Sequence, residues 1–206
     1  MTESKKVGVI LQTLSTLFPK TYSFLKHSNS FELLIAVILS AQCTDERVNE
    51  VTKSLFKKYK TIKDYAYSDV HDLERLIFST GFYKVKASYI KNSAYKILKK
   101  YNGVVPNNMN DLLTLPGVAR KTANVVLYQA FGKNEGIAVD THVKRLSLKL
   151  GLTTSHDPKK IENDLMRQIP KEQWGDFSWR LIAYGRKFCP AKKHDHQNCP
   201  LEKVLN

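Results

Sequence analysis

Apolar residues recur at steps of three and four along this chain, and no segment alternates at the two-residue period of a strand. Val7, Ile10, Leu11, Leu14, Leu17 and Phe18 make one such set; Val48, Val51, Leu55 and Tyr59 make a second. Val70, Leu73, Leu76 and Ile77 follow, then Ile90, Ala94, Ile97, Leu98 and Tyr101. A period near 3.6 gathers each set on one side of an α-helix. The run Leu33 to Leu39 is apolar all round, as in a helix buried on every side. It falls far short of the roughly 20 residues that span a bilayer. Helix boundaries agree with this reading: Gly103, Gly132 and Gly151 each follow a periodic segment, and Asp157-Pro158 offers an N-cap with a first-turn proline. The pattern predicts an all-α chain of about ten helices joined by short connections. At 206 residues it makes one large domain or two small ones.

Charge narrows the partner. The chain has 33 Lys+Arg against 19 Asp+Glu, a formal net charge of +14. Its lysines come in pairs (Lys57 and Lys58, Lys99 and Lys100, Lys159 and Lys160, Lys192 and Lys193) without a long basic block. Each pair reads singly as a solvated helix face. Their sum favours a phosphate backbone, through counterion release, irrespective of base sequence. Cysteines Cys43, Cys189 and Cys199 are odd in number and widely spread, which excludes a disulfide scaffold and fits a reducing compartment. The opening Met-Thr-Glu-Ser-Lys-Lys runs directly into an amphipathic pattern with no signal-peptide core. A cytoplasmic protein is expected.

The most specific stretch is Leu115-Pro116-Gly117-Val118-Ala119-Arg120-Lys121-Thr122-Ala123-Asn124-Val125-Val126-Leu127. It lies between a short helical segment around Asp111 to Thr114 and a helix ending near Gly132. Proline and glycine stop the first helix, and the tight turn feeds a second helix whose first N–H groups point outward, an anion site. Gly117 has no side chain to hold a phosphate away from the backbone. An ordinary αα-hairpin with a Pro-Gly stop would read the same way.

That string, followed by Val139-Asp140-Thr141-His142-Val143-Lys144-Arg145, resembles the helix-hairpin-helix DNA glycosylases, and among them the endonuclease III branch. Leu33 to Asp45, ending Leu-Ser-Ala-Gln-Cys-Thr-Asp, and Gly81-Phe82-Tyr83-Lys84-Val85-Lys86-Ala87 resemble further segments of that family in the expected order. The likeness runs from about residue 30 to Cys199. It implies two helical lobes flanking a cleft: a helical barrel over residues 22–132 that carries the hairpin at about 111–132, and a second lobe from residues 1–21 and 133–206 with the C-terminal tail.

The resemblance also assigns roles. Lys121 matches the catalytic lysine and Asp140 the catalytic aspartate. An amine that attacks C1′ expels the base and leaves a Schiff base, which acidifies the C2′ proton for β-elimination. Arg120 and the positive end of the helix dipole both disfavour a further positive charge beside them. A carboxylate near the sugar stabilises positive charge developing at C1′. Asp140 reads equally as the N-cap of the helix bearing Val143 and Leu146, and the two uses are compatible. Gln42 matches the residue that fills the gap left by a flipped nucleotide and Phe82 the wedge, although alone they read as a helix cap and a core aromatic. The hairpin residues Leu115, Gly117, Ala119, Arg120 and Thr122, with His142 and Lys144, are the remaining expected DNA contacts.

Two departures stand out. The family's hairpin usually reads Gly-Val-Gly, and here the second glycine is Ala119; alanine is costly only if the position needs φ > 0. The family's Cys-x6-Cys-x2-Cys-x5-Cys pattern for a [4Fe–4S] cluster becomes Cys189, His196, Cys199 and Leu205. With two thiolates missing, no cluster and no cofactor is expected. Zinc at Cys189, His194 or His196 and Cys199 departs from the usual Cys/His spacings, and plain packing of a basic tail is preferred. The implied activity is a monomeric, bifunctional DNA glycosylase and AP lyase acting on oxidised pyrimidines in duplex DNA during base excision repair. The alternatives are a non-catalytic helix-hairpin-helix DNA-binding module and an adenine- or mismatch-specific glycosylase of the same superfamily. No membrane partner is expected.

Overall fold

A computed structural model describes residues 2–205 of the chain. Among them every regular element is helical, as the apolar period predicts. Twelve α-helices run in order: α1 Glu3–Leu17, α2 Ser30–Leu39, α3 Asp45–Lys58, α4 Ile62–Ala66, α5 Val70–Ile77, α6 Tyr83–Lys100, α7 Met109–Leu112, α8 Arg120–Phe131, α9 Thr141–Lys149, α10 Pro158–Gln168, α11 Trp174–Lys187 and α12 Pro200–Leu205. Short 3₁₀ turns at Phe78–Thr80, Lys171–Gln173 and His196–Asn198 complete them. Residues fall into two compact units, 23–133 and 1–22 with 134–206. No helix among the described residues is long and apolar enough to cross a membrane.

The unit of residues 23–133 is built around α2. From Leu33 to Leu39 every side chain is buried, which accounts for the uninterrupted apolar run. Helices α3, α6 and α8 pack on α2, while α4 and α5 pack on α6. Side-chain caps define most starts. Asn29 accepts from the N–H groups of Phe31 and Glu32 at α2, and Thr61 and Asp64 form a reciprocal capping box at α4. Helix α8 differs, because its N-cap is Ala119 and no side chain caps it.

In the other unit α11 packs against α1 and α9, α10 packs on α9, and α12 on α1. Leu146, Phe177, Leu181 and Tyr184 lie at its core. Asp157 caps α10 through the Lys160 N–H with Pro158 in the first turn, as the sequence predicts. Gly103, Gly132 and Gly151 all take left-handed φ just past helix ends, the conformation that stops a helix without a Cβ penalty.

Candidate active site

The hairpin begins at α7, capped by Asn108, and turns through Leu115–Ala119 into α8. The Val118 N–H bonds the Leu115 carbonyl at 3.1 Å to close the turn. Gly117 has φ +77°, and a Cβ there would lie 2.6 Å from Cδ2 of Tyr89 on α6. The glycine is thus required twice, by its left-handed backbone and by the aromatic ring packed on it, a neighbour the local string does not disclose. Helix α6 also grips the turn by its carbonyls: the Ser93 hydroxyl donates to Pro116 O at 2.8 Å and Lys96 Nζ to Thr114 O at 2.7 Å. Leu115 is 2% exposed, so its side chain belongs to the core and only its backbone faces the turn. Ala119 has φ −89°, an extended conformation in which alanine carries no strain and the family's glycine is dispensable. Arg120, Lys121 and Thr122 form the first turn of α8, and Lys121 is exposed. The N–H groups of such a turn have no partner within the helix, and alanine is a poor cap. The arrangement suits an oxyanion as the missing cap.

Gln42 and Phe82 share an unusual backbone. Three non-glycine residues among those described have positive φ: Gln42 at 52°, Phe82 at 50° and Asn102 at 51°. Asparagine adopts this region readily; glutamine and phenylalanine do so at a cost of about 1–2 kcal/mol each. Both side chains are exposed, Phe82 to 64%. One buried residue anchors both loops. Lys86, 4% exposed on α6, donates from Nζ to the Leu39 carbonyl at 2.8 Å and to the Thr80 carbonyl at 2.7 Å. These carbonyls lie three residues before Gln42 and two before Phe82. Burial holds the Lys86 ammonium below the usual lysine pKa, with the nearby Cys43 opposing the shift. Sequence reasoning missed Lys86 as an anchor because a lysine at a core-facing helix position reads as surface.

Asp140 is the N-cap of α9. Its Oδ1 accepts from the Val143 N–H at 2.8 Å, and Oδ2 pairs with Nδ1 of His142 at 3.2 Å. The carboxylate is therefore fixed in orientation and partly shielded. His142 is seated against Gly185 of α11, where a Cβ would come within 3.1 Å of its Cδ2. Gly185 thus lets the imidazole reach its place beside Asp140, a second residue that the sequence reading passed over. Lys144, on the next turn of α9, is partly buried.

The model for HhH-GPD superfamily base excision DNA repair proteins matches residues 35–171. The endonuclease III of Synechocystis sp. is 49% identical over 199 residues, covering 97% of this chain and 91% of that protein. That of Bacillus subtilis is 45% identical, covering 98% and 92%. A non-covalent endonuclease III-DNA complex matches with a TM-score of 0.93 at 45% identity, covering 99% of this chain and 95% of that one. This chain belongs to the endonuclease III family. A second solved structure, a trapped endonuclease III-DNA covalent intermediate, gives a TM-score of 0.92 at 43% identity with 100% of both chains covered.

The tail is where this endonuclease III family member departs in chemistry. Packing of apolar residues does hold part of it: Leu201 is 1% exposed, and the Phe188 ring meets Phe18 and Tyr184. Val204, also in the tail, is 47% exposed. Packing alone is an incomplete description, however, because Cys189, His194, His196 and Cys199 bring ligand atoms within 4.8 Å of one another. Both histidines take part, where the spacing argument offered one or the other. This group is able to hold a metal ion. Leu205 packs on the core at the end of α12.

Proposed function

We propose that this chain is a bifunctional DNA glycosylase and AP lyase that removes oxidised pyrimidines from duplex DNA in base excision repair. The observation that carries this reading is Lys121, an exposed amine in the first turn of a helix with no side-chain cap, directly behind the Gly117 turn. The turn and the α8 N–H groups hold a phosphate, with Arg120 and Thr122 beside it. Lys121 Nζ attacks C1′ of the flipped nucleotide, the C1′–N bond breaks, and the base leaves with its electron pair and takes up a proton. Asp140 stabilises the positive charge that builds on the sugar. The resulting Schiff base withdraws electrons from C2′, whose proton departs as the C3′–O bond breaks. Gln42 fills the vacated stack and Phe82 wedges the neighbouring step, while His142 and Lys144 contact the backbone.

The exposed, left-handed settings of Gln42 and Phe82 support these insertion roles, since strained backbone at exposed residues is retained where function needs it. The chain's two domains are residues 22–132, which carry the hairpin, and residues 1–21 with 133–206. The protein acts as a monomer in the cytoplasm, with the nucleoid as its location. It works without a [4Fe–4S] cluster: the tail supplies two thiolates where the cluster takes four, and its donors crowd around a single point.

Borohydride trapping on abasic and thymine-glycol duplexes tests the reading. Wild-type protein is expected to form a covalent adduct that disappears in Lys121→Ala while duplex binding persists. A wild-type preparation that releases bases without any adduct points instead to a monofunctional glycosylase, the adenine- or mismatch-type alternative. Binding with neither activity leaves only a DNA-binding module.

A further inference from the structure

We propose that Cys189, His194, His196 and Cys199 form a tetrahedral site for a single divalent cation of the zinc class. This goes beyond the glycosylase reading and does not depend on it. Metal–sulfur bonds of about 2.3 Å and metal–nitrogen bonds of about 2.0–2.1 Å at tetrahedral angles place neighbouring donors roughly 3.3–3.8 Å apart. Here Cys199 Sγ lies 3.4 Å from His194 Nε2, and His196 Nδ1 lies 3.9 Å from both Cys189 Sγ and Cys199 Sγ. All four ligand atoms lie within 4.8 Å of one another, so shifts of up to about 1 Å complete the geometry.

The ring nitrogens are already in the required state. His194 Nδ1 lies 2.8 Å from the Lys192 carbonyl, which only accepts, so Nδ1 carries the proton and Nε2 turns a lone pair toward Cys199. His196 Nδ1 lies 2.6 Å from the Lys149 ammonium, which only donates, so that nitrogen also presents a lone pair. Metal-ligating histidines characteristically pass their other N–H to a carbonyl in this way. The Lys149 ammonium shows that the donor group already attracts a cation. Glu202 Oε2, 3.7 Å from Lys149 Nζ, receives it when a metal ion takes that place.

Charge and burial fit as well. Both cysteines are 1% exposed, His194 is half-buried and His196 is exposed, and two thiolates with one divalent ion leave the centre neutral on its buried sulfur side. Arg145 fixes the Cys189 backbone, donating to its carbonyl at 2.6 Å. A two-iron centre would separate the cysteine pair from the histidine pair on different metals. The 3.4 Å approach of Cys199 to His194 instead puts sulfur and nitrogen around one point. Between the cysteines the only apolar residues are Pro190 and Ala191, so an ion joining Cys189 to Cys199 holds a loop that packing cannot. That loop displays Lys192 and Lys193, both exposed.

The test uses the full-length chain, purified without chelator and dialysed against metal-free buffer. Elemental analysis is expected to find one zinc per chain. After zinc removal, Co²⁺ should bind with one-to-one stoichiometry, giving tetrahedral d–d bands and a thiolate-to-cobalt charge-transfer band. Cys199→Ser and His194→Ala should each weaken cobalt binding by more than about a hundredfold, exceeding the effect of outer contacts. Cys43→Ser should leave it unchanged. Far-UV circular dichroism establishes that the variants are folded; if they are not, the wild-type stoichiometry and charge-transfer band decide. Absence of retained zinc together with no saturable cobalt band overturns the proposal, as does binding indifferent to both ligand substitutions. About four irons per chain would overturn it along with the proposed lack of a cluster. Trapping in the same preparations reports separately on the lyase reading.

Discussion

Lys86→Met tests whether one buried ammonium positions both the Gln42 loop and the Phe82 loop. Methionine keeps the length and apolar stem of lysine but donates nothing to the Leu39 and Thr80 carbonyls, now bonded at 2.8 and 2.7 Å. Leaving a buried carbonyl without its partner costs about 1–3 kcal/mol, so the pair costs about 2–6 kcal/mol. Removing the desolvated charge recovers several kcal/mol of that. The net loss expected in urea unfolding is about 2 kcal/mol, which leaves the protein folded. The decisive assay is affinity for a duplex carrying a stable abasic analogue, at fixed salt, in a double-mutant cycle with Gln42→Ala plus Phe82→Ala. If Lys86 acts through those side chains, deleting them costs less in the Lys86→Met background than in wild type. Additivity within about 0.5 kcal/mol refutes the positioning argument.

A pH arm reads the same residue through stability. The folded Lys86 pKa is lowered from 10.5 by burial, so between that lowered value and 10.5 the unfolded chain holds more protons. Stability then rises with pH across this window, by linkage. Subtracting the Lys86→Met curve removes the contributions of other titrating groups. The wild-type advantage should grow toward alkaline pH, and a flat difference contradicts a desolvated ammonium.

Four further substitutions separate structure from chemistry. Gly117→Ala meets φ +77° and the Tyr89 ring together, so it should lower stability by about 1–2 kcal/mol and weaken duplex binding; Ala119→Gly, at φ −89°, should change urea unfolding by no more than about 0.5 kcal/mol. Asp140→Asn retains an amide oxygen able to cap Val143, so thermal unfolding should barely move while single-turnover base release falls by about 10²–10³. Lys58, with help from the Tyr59 hydroxyl and Arg75, holds the Asp72 carboxyl far below the usual range. Its stabilisation is present above the unfolded pKa of about 3.9 and lost as pH falls below it, so the stability gap between wild type and Asp72→Asn should narrow below about pH 4 in acid unfolding.

The helices were legible because each buries one stripe, and a 3.6-residue period survives in sequence wherever a stripe faces a core. Lys86 shows where that legibility ends. It lies on the buried face of α6 with Ala87, Ile90, Ala94 and Ile97, at a position whose period is correct and whose residue type is wrong. Only the two carbonyls that receive its ammonium explain why a lysine belongs there. The left-handed backbone of Gln42 and Phe82 has no local signal either, since neither residue type favours it. Gly185 reads as a helix-interior glycine until His142 is seen against it.

The hairpin and the tail differ in a way that accounts for their unequal legibility. In the hairpin, the residues of the proposed anion site are consecutive, because a turn and the first turn of a helix supply their N–H groups in chain order; a short string therefore carries the proposal. In the tail the four donors come from Cys189, a loop, a 3₁₀ turn and Cys199 at the start of α12. Their convergence depends on a loop that doubles back and on which ring nitrogen each histidine turns inward. The carbonyl of Lys192 and the ammonium of Lys149 set that choice, and neither can be inferred from spacing. Counting cysteines against a four-thiolate pattern registers only the two positions that differ, whereas a mixed sulfur and nitrogen set becomes visible only once the hydrogen bonds assign the lone pairs.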